Sequence, residues 1–351
     1  MQRYPIFLFR NFIKIILLLV FLFCKESFSQ NLYTLEGKVI DSQTKEPLAY
    51  VSVFLSQTTI GATTDDEGYY KIGKIPEGTF ALVASMVGYE SKVVSVDLAG
   101  NQNRVVNFNL ERSDYQFRPI EVRDKIPKEW FDQLEIFKKA ILGANAYAKK
   151  CEFKNPYIID FKKEGVLLTA TAREAIVIQN NALGYKIDCV LKSFKYDIRS
   201  REISYQIYPS FSELNSANQD STEEYLYNRK NAYLGSMAQL LTSLAAGKYN
   251  FRDDGFELRV SGRLIERSTD IVEVDSASDK YFLRIKDCLQ IKYWNYGKRT
   301  FSTLCLTRGI TQFDPSGFLI FPDEFALNGE MSKEGVATML PRFWKPKEEQ
   351  K

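Results

Sequence analysis

The chain has no histidine among its 351 residues. That removes the imidazole from every mechanism that needs one: Ser-His-Asp and Cys-His nucleophile activation, and zinc sites built on His ligands. Cysteine is sparse, with five in all and no Cys-x-x-Cys spacing to suggest a metal or redox pair. Excess charge of one sign is also missing. The formal balance is +3, and the first 29 residues carry Arg3, Arg10, Lys14 and Lys25 against Glu26, so the remainder holds 43 basic and 43 acidic groups. Nucleic acid as a partner is not expected from such a balance. Beyond the first thirty residues there is no long apolar run. The chain does hold 45% apolar and 14% aromatic residues, ample for packed cores and unlike a disordered composition.

The first thirty residues read as an export signal. Arg3, Arg10 and Lys14 precede the apolar run Ile15–Cys24, and Ser27-Phe28-Ser29 supplies small residues before a cut between Ser29 and Gln30. The run is short of the ~20 residues that span a bilayer. An uncleaved anchor and a lipid site at Cys24 are the alternatives, although Phe23 stands where a lipid site wants a small residue. The expectation is an exported protein of the periplasm, outer membrane or cell surface, with no transmembrane helix after signal removal. Cys151, Cys189, Cys288 and Cys305 then remain, for two disulfides in any of three pairings or for four buried thiols.

Residues 31–112 alternate apolar and polar positions in short runs punctuated by turn chemistry. In order come Gly37-Lys-Val39-Ile-Asp41, Glu46-Pro47-Leu48-Ala-Tyr-Val51-Ser-Val53, and Gly61-Ala-Thr-Thr-Asp65-Asp-Glu-Gly68-Tyr-Tyr70. Ile75-Pro76-Glu-Gly78-Thr-Phe80 and Met86-Val-Gly88-Tyr89-Glu90 complete the series. About seven strands are predicted, with tight turns at Gly68 and Gly78 and a strand break at Gly88. Asp65-Asp66-Glu67 reads as a solvated turn rather than a calcium loop, which needs alternating ligands and a distal Glu.

Taken together these motifs resemble the carboxypeptidase regulatory-like domain over roughly residues 34–111. The resemblance implies a seven-stranded, transthyretin-like β-sandwich. In that family the sandwich accompanies zinc carboxypeptidases, precedes outer-membrane receptors and occurs in many exported Gram-negative proteins, without being the catalytic part. The missing histidine argues against the peptidase. The length left after residue 120 cannot hold a plug and a 22-stranded barrel.

Residues 113–128 read as a linker, with Pro119 and Pro127 and a short strand at 120–123. Residues 129–345 read as an α+β domain with mostly antiparallel strands and two long helices, and 346–351 as a charged tail. One helix is predicted from Lys128 to about Lys149 on the spacing of Trp130, Leu134, Phe137 and Ile141. A second is predicted from an N-cap at Ser221, with Glu224 completing a capping box, to about Ala246. Asn228-Arg229-Lys230-Asn231 reads as its solvated side. Strands are expected at 157–161, 166–172, 175–179, 185–194 and 203–208. Others are expected at 256–260, 271–274, 281–285, 289–294, 300–306 and 318–321, with a hairpin turn at Asp314–Gly317. The pieces around Ala182–Ile187, Asn228–Ser236, Gly255–Leu258 and Leu340-Pro341 resemble the region C-terminal to the sandwich in exported Gram-negative proteins of similar length, a group that brings no activity with it.

The function expected is a non-catalytic envelope or surface module binding a protein or glycan partner, with no cofactor. A variant of this reading makes it a fixed component of a larger envelope assembly. The alternative is a glycosidase-like hydrolase working through carboxylates alone, for which neither Glu223-Glu224 nor Asp253-Asp254 defines a cleft.

Overall fold

The computed structural model describes residues 32–100, 103–113, 126–215, 219–247, 249, 254–275, 280–295, 297–320 and 325–347. The segment read as an export signal, with the cut expected between Ser29 and Gln30, Cys24, most of the predicted linker and the end of the tail lie outside the described residues.

The first 80 described residues form two packed sheets. Strands β1 (Tyr33–Asp41), β2 (Ser52–Leu55), β3 (Gly61–Thr63), β4 (Tyr69–Ile75), β5 (Gly78–Ser85), β6 (Lys92–Leu98), β7 (Arg104–Val105) and β8 (Phe108–Leu110) run in order. One sheet runs β4-β1-β7, with β8 also on β1, and the other β3-β2-β5-β6. The alternation in β1 buries Tyr33, Leu35, Gly37, Val39 and Asp41 and leaves the residues between them half-buried. Between the sheets lie Val39, Leu48, Val51, Val53, Tyr70, Phe80 and their neighbours in one apolar cluster. Each such side chain contributes about 1.5–3 kcal/mol relative to exposure. The alternation of Val106, Phe108 and Leu110 predicts one last strand, but β7 ends at Val105 and β8 begins at Phe108. Between them the Val106 N–H still donates to the Glu36 carbonyl at 2.9 Å, and the Asn107 side chain accepts a hydrogen bond from the Lys38 backbone N–H at 2.8 Å.

Helix α1 (Lys128–Leu142) opens the second region. It stops well before Lys149, and a 3-10 turn at Ala146–Lys150 replaces its predicted end, capped by the Asn145 side chain on the Ala148 N–H. Strands β9 (Cys151–Phe153), β10 (Ile159–Glu164), β11 (Leu167–Ala172), β12 (Ile176–Asn180), β13 (Tyr185–Asp197) and β14 (Ile203–Glu213) build an antiparallel sheet. The thirteen-residue β13 is its spine, with β14 along one side and β12 and β11 sharing the other. Helix α1 packs onto it through Leu134, Phe137 and Ile141, with Phe137 edge-on to Phe153, Phe161 and Phe194.

The long helix expected after Ser221 is two helices, α2 (Gln219–Tyr233) and α3 (Met237–Ala245). Helix α2 begins before Ser221, so Ser221 does not cap it. The cap that matters lies fifteen residues later. Ser236 Oγ accepts from the Gln239 N–H at 3.2 Å, and Gln239 Oε1 accepts from the Gly235 N–H at 2.7 Å. The Ser236-Met-Ala-Gln239 spacing carries that signal in the sequence.

Beyond α3, strands β15 (Phe256–Val260), β16 (Arg263–Leu264), β17 (Val272–Asp275), β18 (Lys280–Arg284), β19 (Leu289–Asn295), β20 (Lys298–Leu306), β21 (Ile310–Phe313) and β22 (Phe325–Gly329) form two sheets. Their orders are β16-β15-β19-β20-β22 and β17-β18-β21. Leu240, Leu241 and Leu244 of α3 pack with Phe256, Leu258, Ile291, Tyr293 and Phe313 into a further core. The predicted strand at 318–321 is not a strand over its described residues. Leu319 makes one bridge to Phe313 across the Asp314–Gly317 turn, and β22 takes the edge of the larger sheet instead. The described part of residues 128–347 thus holds two main hydrophobic clusters.

Candidate functional site

The motif residues of the sandwich converge on its turns. Asp65 Oδ1 accepts from the Tyr69 N–H at 2.7 Å, and Gly68 closes the turn with φ +77°. A Cβ there would lie 2.6 Å from the Val39 carbonyl oxygen, so only glycine fits. Gly37 meets a similar constraint, since its added Cβ would lie 1.9 Å from the Val106 oxygen that Tyr70 Oη holds at 2.6 Å. Val39, Leu48, Val51, Val53, Tyr70 and Phe80 are core. Pro47 bridges to Ile40, Gly61 starts β3, and the Pro76–Gly78 turn joins β4 to β5.

Asp41 and Tyr89, 48 residues apart, meet in one cluster. Asp41 is buried, and Oδ1 accepts from the Gln43 and Thr44 backbone N–H groups at 2.8 and 3.0 Å. Oδ2 accepts from Arg112 Nε at 2.8 Å and Tyr89 Oη at 2.9 Å. The Arg112 guanidinium, followed by the two backbone donors, holds this carboxyl well below the usual carboxylate range. With four donors on its two oxygens, Asp41 organises the end of the sandwich.

Two apolar residues in β2 and β5 break the alternation. Phe54 and Val83 point away from the sandwich core, yet both are buried, packed on Val190 with Val93, Ala175 and Tyr208 around them. The sandwich therefore docks its β2–β5 face on the β13–β14 sheet. The Gln57 turn locks the contact: its N–H donates to the Pro209 carbonyl at 2.6 Å, and its own carbonyl accepts from the Arg342 N–H at 2.7 Å. Phe211 N–H donates to the Thr58 carbonyl at 3.0 Å.

Arg342 completes this joint from the far end of the chain. Its Nη1 donates to the Thr79 carbonyl at 2.7 Å and its Nε to Ser316 Oγ at 3.0 Å. Nη2 pairs with Asp314, and the guanidinium lies 4.2 Å from the centroid of the Phe80 ring. Burial pulls the Arg342 guanidinium down from its ordinary value, with Asp314 opposing. The same strap donates Val336 N–H to Ile141, takes Asn180 Nδ2 on the Ala337 carbonyl, and sets Trp344 edge-on to Tyr233.

A second buried arginine corrects the reading of residues 228–231 as solvated. Arg229 is 6% exposed. It donates to the Leu183 and Gly184 carbonyls at 2.7 and 3.2 Å, pairs with Glu213 at 2.8 Å and lies 3.9 Å over the Tyr185 ring. Asn228 donates to the Ala182 carbonyl at 2.9 Å. The segments around Ala182 and Asn228, paired in the sequence only by resemblance, are thus partners in space.

Of the four cysteines, Cys288 and Cys305 are disulfide-bonded, with Cα atoms 4.2 Å apart, and Cys151 and Cys189 are thiols. Burial pushes the Cys151 thiol up to about 12, and raises Cys189 as well, so neither forms a reactive thiolate near neutral pH.

A half-open cleft of about 480 Å³ lies between the Asn145 turn, the α2–α3 break and the Glu330–Lys333 turn. Its polar groups serve the fold: the Asn145 amide donates to the Leu142 and Lys333 carbonyls, and Lys333 pairs with Glu330 at 2.7 Å. A carboxylate hydrolase needs one carboxyl raised to act as acid. Among the described residues every carboxyl with a resolved shift is lowered, as Arg259 lowers Glu257 and Arg284 lowers Glu273. None of the described helices is long and apolar enough to cross a membrane.

No curated protein matches the chain. Among solved structures it is similar to a 3-chlorocatechol 1,2-dioxygenase from Rhodococcus opacus 1CP, at 15% identity and TM-score 0.20, over 25% of this chain and 63% of that one. It is similar to a chain of a type II cohesin–X-dockerin complex from Acetivibrio cellulolyticus, at 19% identity and TM-score 0.21, over 32% and 78%. A third similarity is to GBS52, the minor pilin of Streptococcus agalactiae, at 19% identity and TM-score 0.21, over 26% and 48%. The dioxygenase and the pilin are each covered over less than two thirds of their length. Likenesses this slight carry no argument about function. The family comparison is specific, and it falls on the segment that holds the Gly68 turn, the sandwich core and the Asp41–Tyr89 cluster: residues 35–122 of this chain are a CarboxypepD_reg-like domain.

Proposed function

We propose that the chain is a non-catalytic, exported protein of the cell envelope or surface, in which residues 31–112 form an interaction module carried by the 129–345 region. The supporting observation is the unequal use of the sandwich's two outer faces. The β2–β5 face is consumed by the chain's own β13–β14 sheet through Phe54, Val83 and Val190. The β4–β1–β7 face is left to solvent and presents Tyr69 at 54% and Val105 at 66% exposure. Lys38 lies 4.7 Å over the Tyr69 ring, and Lys71 pairs with Glu36 at 3.6 Å. An aromatic ring, an aliphatic residue and mixed charges on a rigid sheet suit a protein partner.

The test is capture from the membrane fraction by the full-length protein and by a Tyr69→Ala/Val105→Asp double variant. A defined set of envelope proteins retained by the first and lost by the second is the expected outcome. Identical retention by both would remove this face from the reading.

A further inference from the structure

Strand β14 (Ile203–Glu213) lies at the edge of the sheet that α1 covers, and its ladder is to β13 alone. Two contacts fix which of its backbone groups face outward. The Pro209 carbonyl accepts from the Gln57 N–H, and the Phe211 N–H donates to the Thr58 carbonyl, so the odd-numbered residues turn their main-chain groups away from β13. Such groups alternate along a strand. The irregularity in the ladder, between Leu191 and Ser193, is an extra residue on β13, so β14 keeps its alternation. Ile203, Tyr205 and Ile207 therefore present N–H and C=O along the open edge, where they meet no backbone partner among the described residues.

Proteins blunt open edges with short strands, charges, prolines or bulges. This sheet does so at its other margins: β9 has three residues, and β10 carries Asp160, Lys162, Lys163 and Glu164. The run Ile203-Ser-Tyr205-Gln-Ile207-Tyr208 has no charge, no proline and no glycine. The chain plugs one end of it with its own Gln57 turn at Pro209. At the other end it bends back toward β13 through the Asp197–Arg201 turn, away from the edge. What stays open between these two stops is symmetric about Tyr205, with isoleucine two residues to either side. Tyr205 and Ile207 are half-buried against the α1-side core, and Ile203 is 46% exposed.

We propose that this edge pairs with the same edge of a second copy, antiparallel, about a two-fold axis through Tyr205. Ile203 then lies opposite Ile207 of the second copy, Tyr205 opposite Tyr205, and Ile207 opposite Ile203. Each of these pairs exchanges both of its N–H···O bonds. The symmetry is what selects a copy over an unrelated strand: an isologous contact needs a self-complementary patch, and here all the outward residues are used while both Gln57 turns stay in place. Paired residues point to one face of a sheet, so the two α1-covered faces join on one side of the seam. On the other side Ser204 meets Gln206, which brings no like charges together. A seam of this kind buries less than the ~800 Å² per partner of a standard interface, so the dimer is weak and concentration-dependent. It lies outside the sandwich and does not rest on the interaction module assigned to residues 31–112.

Sedimentation velocity of the full chain between about 1 and 200 μM tests it, with the mean mass expected to rise toward twice the monomer's. Ile203→Pro removes one outward N–H from each copy, on a strand that already carries an outward proline at Pro209. It should weaken the dimer about tenfold or more and leave the thermal midpoint close to wild type. A second measurement covers the case in which that variant fails to fold. An equal mixture of Ser204→Cys and Gln206→Cys chains should cross-link under mild oxidation several-fold faster than either variant alone, because position 204 faces position 206 and not itself. The proposal is overturned if the chain stays monomeric throughout, if folded Ile203→Pro dimerises as wild type does, or if either cysteine variant alone cross-links as fast as the mixture. A monomer that retained another protein, and lost it with Ile203→Pro, would overturn it in favour of that protein's strand.

Discussion

The sandwich and the region C-terminal to it differ in their polar hubs. In the sandwich the hub is an acceptor: the buried Asp41 carboxylate gathers two backbone N–H groups, one hydroxyl and one guanidinium. In the rest of the chain Asp314 repeats that arrangement on the Ser316 and Phe318 N–H groups, but two further hubs are donors. Arg229 and Arg342 push guanidinium groups into the fold to satisfy carbonyls of Leu183, Gly184 and Thr79. A carboxylate on a short side chain fixes its own turn and takes the longer side chains that reach it, as Asp41 takes Tyr89 and Arg112. A guanidinium on a long stem reaches loops far away in sequence, and stacks on a ring while doing so, Tyr185 in one case and Phe80 in the other. The acceptor hub is a fixed point at one turn, and the donor hubs reach out to carbonyls of other elements.

This contrast can be broken at several points. Arg342→Ala should do the most damage, because it strands buried Asp314 and releases the sandwich. A loss of about 3–5 kcal/mol is expected, read by chemical denaturation, with the transition splitting as the sandwich melts apart from the rest. Arg229→Ala should cost less, about 2–4 kcal/mol, since Glu213 is already solvated; the transition should stay single. Lysine at either position should fail to rescue, because an ammonium cannot serve the three partners that each guanidinium reaches from one plane. Cys288→Ser should lower stability by about 2–3 kcal/mol, and reducing agent should shift the wild-type midpoint but not the variant's.

Asp41→Asn should have the mildest effect at neutral pH, because the amide oxygen still caps the Gln43–Thr44 turn and Arg112 can turn to solvent. Its signature is in acid. The Asp41 carboxyl is lowered in the folded state, so its contribution is fully present above the unfolded value near 3.9. That contribution is lost as pH falls toward the folded value. Wild type should therefore lose stability below about pH 4 more steeply than Asp41→Asn. Parallel acid-unfolding curves would show that the hub carries no linkage.

The same contrast explains what could be read from the sequence. Gly68, Gly37 and Asp65 act within a few residues or on an adjacent strand, so turn chemistry and alternation disclose them. The second side of β2 and β5 was less visible. The paired apolar residues Val53-Phe54 and Leu82-Val83 mark strands buried on both faces, but alternation alone assigns Phe54 and Val83 to solvent. Arg229 sits in a polar run on a helix, and its partners are 45 and 46 residues away, so only the fold shows it to be buried. The disulfide lay between these extremes. Seven residues back from Asn295 and seven on from Lys298 are the two cysteines, so knowing the β19–β20 turn would have chosen the pairing. The 480 Å³ cleft had no signature, because Asn145, Lys149 and Glu334 line it from loops that local pattern does not place.

The strap from Val336 to Trp344 has a consequence in time as well as in space. Thr79 and Arg342 are separated by 263 positions, among the most distant partners a chain of this length can bring together. Synthesis does not deliver residue 342 until almost everything before it has emerged. The sandwich can complete its own core early and begin to seat on Val190, Pro209 and Phe211, but the joint is not complete until Arg342 arrives. Ring closure over such a distance is slow relative to local turns. The protein is thus ordered piecewise, with one late step that turns separate layers into a single body.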